Sequence, residues 1–365
     1  NERAAARHGT HRARRPVQSR PPDLDYAHDE RSRSPVHARA MKSTLPPAIV
    51  IAGPTASGKS QIALEIAAHF PIEIINVDSA QIYRYMDIGT AKPSSLILQQ
   101  IPHHLTDIID PVQHYSAAQF RQDALELMQD ITARNKIPLL VGGTMLYFKA
   151  LLEGLSELPS ADKNLRSILE KEASVIGWPA MHRRLLQLDP DTAKRIQPTD
   201  SQRIQRALEI CLLTDKPLSE VIQTSQPSAD LPYHPIQIAL APDNRSELHH
   251  RIAERFQTML STGLIEEVSS LRERYPELDT HYPSMRCVGY RQTWLYLDNQ
   301  ISRTELHDRG IAATRQLAKR QLTWLRSLNK RYPIQTFDCL SSQLSQQVIH
   351  FLSPQIDKLQ SHSRK

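Results

Sequence analysis

Eight residues, Gly53–Ser60 (GPTASGKS), match the phosphate-cradling pattern G-x-x-x-x-G-K-[ST] at every fixed position. Gly53 and Gly58 free the backbone so that, past Pro54, the N–H groups of Thr55, Ala56 and Ser57 turn toward an anion. The helix expected to follow adds the positive end of its dipole. Lys59 reaches distal phosphate oxygens, and the Ser60 hydroxyl is the expected Mg²⁺ ligand. Diphosphate and nucleotide are both chemically suited to such a loop.

Triphosphate-cleaving proteins with this loop place a metal-holding acid at the end of another buried strand. Here the apolar run IPLLVGG (137–143) ends in two glycines and carries no acid. IEIINV (72–77) ends at Asp78, on the strand directly after the loop helix. That position faces an acceptor substrate in many small-molecule kinases, so Asp78 reads as a base rather than a metal ligand. Ser79, Ala80 and Gln81 continue the same strand-end loop, and a Gln amide pairs with the edge of a base. GGTMLY (142–147) is a second strand-end loop, with Thr144 offering a hydroxyl to the same rim. His103 and His104 are adjacent, with no third ligand spaced nearby, and read as structural.

These groups need a scaffold. AIVIA (48–52), IEIINV, IPLLVGG and IQIAL (236–240) are short apolar strands, separated by stretches of helical period such as KSQIALEIAAHF and SAAQFRQDALELMQDITARNK. Ser116 is placed as the N-cap of the second helix. This order predicts an α/β fold: a P-loop NTPase-like parallel sheet covered on both faces, its ligands at the carboxyl ends of the strands. Between Ser160 and Thr224 only helical segments appear, which predicts an all-helical insertion over about 158–235. The core is expected over 41–157 and again over 236–340. It includes long helices, with Gly263 ending one of them, and IQTFD as an edge strand. Residues 341–365 read as a polar tail, frayed from Ser353 onward.

The 365 residues carry a net charge of +6, and 40% are hydrophobic. Most of the positive balance lies in residues 1–40, an Arg-, Pro- and Ser-rich stretch without period that reads as a disordered extension preceding a start at Met41. A second basic region is local: residues 286–331 hold ten Lys/Arg against three acids. It includes RCVGYR (286–291) and KRQLTWLR (319–326). QRIQR (202–206) adds another basic pair, Arg203 and Arg206. Such clusters suit a phosphate backbone. No apolar run has the length of a membrane span, and the three cysteines (211, 287, 339) form no metal or disulfide pattern. A reducing cytoplasm follows as the expected compartment. Residue chemistry alone leaves a small-molecule kinase and a nucleotide-gated RNA-binding protein as alternatives to a transferase.

Taken in order, GPTASGKS, DSAQIY, IPHHLTDIIDP, GGTMLY, QRIQRALEI, RCVGYR and ATRQLAKRQLTWLR resemble the tRNA dimethylallyltransferase (tRNA isopentenyltransferase) family, from about Pro46 to Trp324. The resemblance implies transfer of a dimethylallyl group from dimethylallyl diphosphate to N6 of adenosine 37, beside the anticodon, in tRNAs reading codons that begin with U. It also implies Mg²⁺, a helical insertion gripping the anticodon stem-loop, no membrane, and a monomer. By motif, Thr55–Ser60 would hold the diphosphate, with Arg251 and Arg255 as further clamps. Asp78 would be the general base, supported by Lys59, Thr55 and Thr144. Asp78–Gln81, Thr144 and Arg166 would meet tRNA. So would Gln202, Arg203, Ile204, Gln205 and Arg206, and Arg286, Cys287, Val288, Gly289, Tyr290 and Arg291. Lys319, Arg320, Gln321, Leu322, Thr323, Trp324, Leu325 and Arg326 complete that set.

Overall fold

The computed structural model describes residues 45–225 and 230–363; the expected N-terminal extension lies outside them. In chain order the elements are β1 (Pro47–Ala52), α1 (Lys59–His69), β2 (Ile72–Val77), α2 (Ser95–Gln100), β3 (His103–His104), α3 (Ala117–Ala133), β4 (Ile137–Gly142) and α4 (Met145–Glu153). Five helices follow without a strand: α5 (Lys163–Ile176), α6 (Trp178–Leu188), α7 (Pro190–Ala193), α8 (Ser201–Thr214) and α9 (Leu218–Thr224). Then come β5 (His234–Ala241), α10 (Arg245–Ser261), α11 (Leu264–Arg274), α12 (Tyr290–Leu297), α13 (Arg303–Asn329), β6 (Ile334–Asp338) and α14 (Leu344–Ser363).

The strands form one sheet in the order β3-β2-β4-β1-β5-β6, with every pairing parallel. Apolar residues run without a break along β1, β2 and β4 because both faces are covered. Alternation in β1 divides the core. Ala48, Val50 and Ala52 pack with Phe120, Met128 and Phe148 on one side. Ile49 and Ile51 pack with Ile62 and Ile66 on the other. Register aligns Ala52 with Gly142 and Ala239, and Val77 with Gly142, so the loops after β1, β2 and β4 leave the sheet at one level.

Helix α3 starts where the sequence placed it. The Ser116 hydroxyl accepts from the Gln119 N–H at 3.1 Å, and the Gln119 side chain returns the bond to the Ser116 N–H at 2.9 Å. Helices α5–α8 close over their own core of Leu169, Met181, Leu185, Ile204 and Leu208. Gly263 (φ 109°) makes the left-handed turn between α10 and α11.

The carboxyl end of the chain corrects the expected tail. α14 runs through Ser353, and Val348, Leu352 and Ile356 are buried against β1, β4 and β5 on the face that α1 also covers. Pro354 within that helix, together with the polar residues on its exposed side, masked the pattern. His103 and His104 pair with β2 as an edge strand. His104 Nε2 meets the Glu73 carboxylate at 2.7 Å, which also accepts from Arg134 and Lys136. Hydrogen bonds from Arg134, His104 and Lys136, with the charge of Lys136, overcome the effect of burial and hold the Glu73 carboxyl down at about 2.

Candidate active site

The loop after β1 is bent by two left-handed residues, Ala56 (φ 63°) and Gly58 (φ 77°), which lead directly into α1. Only the glycine adopts this conformation without steric cost. Gly53 lies deeper: a Cβ there would stand 2.7 Å from Ser57 Oγ and 3.0 Å from the Leu240 carbonyl. Ser57 is fully buried, and its hydroxyl has no hydrogen-bond partner among the described residues. An oxygen-rich ligand seated in the loop would supply one. Lys59 folds back over the loop and donates to the Pro54 carbonyl at 2.6 Å. Burial lowers its ammonium to about 8; Asp78 opposes that shift and Arg255 adds to it.

The Asp78 carboxylate accepts the Ala80 N–H through Oδ1 at 2.9 Å, closing a turn at the end of β2. Thr144, at the start of α4, accepts the Ser79 N–H at 2.9 Å and donates to the Ser79 hydroxyl at 3.2 Å. Its hydroxyl therefore ties the β4 loop to the β2 loop. The Gln81 amide donates to the Thr90 carbonyl at 3.1 Å, so the chain from Asp78 to Ala91 is folded on itself.

These loops line one cavity of about 750 Å³. Thr55–Ser60, Asp78–Gln81 and Thr144 form one side of it. Gly89–Ala91, Arg255 of α10, the 286–288 segment and Arg320, Gln321 and Trp324 of α13 also line it. Arg255 sits close enough to Asp78 for the carboxylate to favour its charge, although burial lowers its pKa. Cys287 has its thiol 3.7 Å from the Pro283 carbonyl; burial, with Asp78 adding to it, pushes that thiol up to about 12. It is a neutral wall of the cavity, not a nucleophile.

Several expected contacts are corrected. Gln321 was grouped with RNA-binding residues, yet it is 9% exposed and both ends of its amide are engaged within the protein. Its Oε1 accepts the Thr55 N–H at 2.9 Å and its Nε2 donates to the Gly143 carbonyl at 2.9 Å. It fastens the phosphate loop to the β4 loop. Leu325, Tyr290, Gly289 and Ile204 are buried core residues, and Leu322 packs against the core, so none of these side chains forms an RNA-facing surface. Arg251 does not line the cavity; its guanidinium reaches the Cys339 carbonyl at 3.4 Å, so of the two expected clamps Arg255 alone is on the wall.

The remaining basic residues lie outside the cavity. Arg291, Lys319, Thr323 and Arg326 are exposed. Gln202 and Arg203 are exposed on α8, and Gln205 donates to the Arg166 carbonyl at 3.2 Å. Arg166 and Arg206 both grip Glu209. This fully buried carboxylate accepts Arg166 Nε at 2.8 Å, Arg206 Nη1 at 2.6 Å and the Asp162 N–H at 2.8 Å. The two guanidiniums are thereby held half-exposed with one positive charge in excess. Reading the sequence missed Glu209, whose signal was an acid on the apolar face of RALEICLL, and Glu267, which looked like an ordinary first-turn acid in α11. Among the described residues, no group of three or more His, Cys, Asp or Glu is arranged to hold a metal, and no helix is long and apolar enough to cross a membrane.

A parallel sheet, a phosphate loop after β1 and an acid at the end of β2, one strand removed, all opening into one cavity, define a P-loop-type α/β protein built for group transfer from a phosphorylated donor. The family described as IPP transferase matches residues 81–328. A tRNA dimethylallyltransferase of Nitrosomonas europaea is 60% identical over 310 residues, covering 85% of this chain and 96% of that protein. One from Chromobacterium violaceum is 59% identical over 288 residues, covering 79% and 88%. The chain belongs to the IPP transferase family. Among solved structures, a tRNA isopentenylpyrophosphate transferase from Bacillus halodurans superposes with a TM-score of 0.61 at 33% identity, covering 87% of this chain and 98% of its own. A eukaryotic dimethylallyltransferase acting on tRNA gives 0.70 at 28% identity, covering 85% and 80%.

Proposed function

We propose that the chain transfers a dimethylallyl group from dimethylallyl diphosphate to N6 of adenosine 37 in the anticodon loop of tRNA. The observation that carries this reading is that Asp78 and the phosphate loop line one cavity, in a chain that belongs to this family. The adenosine leaves its stack to enter the cavity. N6 attacks the terminal allylic carbon of the donor, and the C–N bond forms as the C–O bond to diphosphate breaks. The exocyclic amine is weakly nucleophilic because its lone pair is shared with the ring, and Asp78 takes the N6 proton as the bond forms. The loop N–H groups, Lys59 and Arg255 meet the charge that grows on the departing diphosphate.

Mg²⁺ suits this donor set. Ser60 offers a hard hydroxyl ligand in the cavity, and the diphosphate oxygens with waters would supply the remaining oxygen coordination such an ion prefers. When bound, the ion would neutralise charge on the diphosphate oxygens. The exposed cations on α8 and α13, with the Arg166–Glu209–Arg206 group, would bind the phosphates of the anticodon stem. The protein acts as a cytoplasmic monomer.

The test is product identity. After incubation with dimethylallyl diphosphate and an anticodon stem-loop, nuclease digestion should yield N6-dimethylallyladenosine by mass spectrometry. Consumption of ATP with a phosphorylated small molecule as product, and no modified nucleoside, would instead support a kinase.

A further inference from the structure

We propose that Glu267 is a positioning residue for this transfer. Acting through the Asp87–Gly89 segment and Tyr290, it fixes the distance between the two cavity walls that receive the adenosine. The proposal rests on the function proposed above.

Glu267 lies in the first turn of α11, where an acid ordinarily serves the helix dipole. Its carboxylate is turned sideways instead. Oε2 accepts the N–H of Asp87 at 2.9 Å and of Ile88 at 2.7 Å. Oε1 accepts the N–H of Gly89 at 3.2 Å and the Tyr290 hydroxyl at 2.5 Å. Three consecutive backbone N–H groups converge on one charged side chain, the arrangement by which backbone concavities bind anions. The anion here belongs to the protein and comes from a residue 178 positions or more away in sequence.

Both walls depend on this carboxylate. On one side, Gly89, Thr90 and Ala91 line the cavity, and the Thr90 and Ala91 carbonyls receive the Gln81 amide, three residues from Asp78. On the other, Tyr290 follows the segment whose Arg286, Cys287 and Val288 also line the cavity. The Tyr290 ring presses on Gly89 so closely that a Cβ there would lie 2.4 Å from it. Lys92 anchors the far end of the loop to Asp87, Asp107 and the Tyr83 carbonyl. The phosphate loop takes no part, so donor binding is separable from acceptor positioning.

Glu267→Gln keeps the size of the side chain but replaces one acceptor oxygen with an NH₂ that faces N–H donors. At saturating stem-loop, kcat should fall by up to about a hundredfold, the cost of misplacing reacting groups by an ångström. The dissociation constant for dimethylallyl diphosphate should stay within about twofold of wild type. The Asp87, Ile88 and Gly89 amides should exchange with solvent faster than in wild type, a readout that holds whatever reaction the enzyme performs. Tyr290→Phe removes a single donor and should lower kcat in the same direction by less, which keeps the test open if Glu267→Gln does not fold. Unchanged kcat per folded molecule in either folded variant, or equal weakening of donor binding and turnover, would overturn the proposal. A wild-type enzyme that modifies no stem-loop would instead overturn the function it rests on, while amide exchange would still show whether the carboxylate holds the segment.

Discussion

Lys59 holds its positive charge in a place that disfavours it. Burial has lowered its ammonium to about 8, with Arg255 also lowering it and Asp78 working against both. A bound diphosphate favours the charged form, so its affinity is fully developed below about pH 8. Above that value binding must also load a proton, and affinity should fall by up to about tenfold per pH unit. Calorimetry of diphosphate binding from pH 7 to 9.5 checks this. Lys59→Ala should bind more weakly and lose the pH dependence, whereas a flat wild-type profile would contradict the assignment. Asp78 makes the complementary prediction. Asp78→Asn keeps the turn with Ala80 but cannot accept the N6 proton, so turnover should drop by roughly 10²–10⁴-fold with diphosphate affinity little changed. Single-turnover kinetics beside equilibrium binding separates the two effects.

At the scale of elements, the phosphate loop, the Asp78 strand end and the capping of α3 were legible because each depends on residues close in sequence. Gly58 must be left-handed, Ser116 must meet Gln119, and an apolar run must be a strand covered on both faces. Contacts between distant residues were not legible. Gln321 sits among cations in KRQLTWLR, and only the packing of Ala318 and Leu325 turns it inward onto Thr55 and Gly143. The same holds for Glu267 against residues 87–89 and for α14, whose apolar positions gain meaning only beside α1 and the sheet. Because Leu352 is fully buried there, Leu352→Ala should destabilise the protein by about 2–5 kcal/mol. Chemical denaturation measures that loss; a change near zero would return the segment to the status of a frayed tail.

In the molecule as a whole, the carboxyl ends of β1, β2 and β4 assemble the chemistry, while α10, the 286–288 segment and α13 close the cavity they share. α5–α9 carry a separate core and display Arg166, Arg203 and Arg206 away from that cavity. A donor held by the loop and an acceptor delivered from a folded RNA account for both halves of this design. On the proposed function, the loop pattern shared with triphosphate-cleaving proteins serves a leaving group rather than a nucleotide. The most direct measurement is transfer of label from dimethylallyl-labelled diphosphate to two anticodon stem-loops that differ only at position 37. The account predicts labelling of the adenosine form and none of the guanosine form. Equal labelling of both, or of neither, would contradict it.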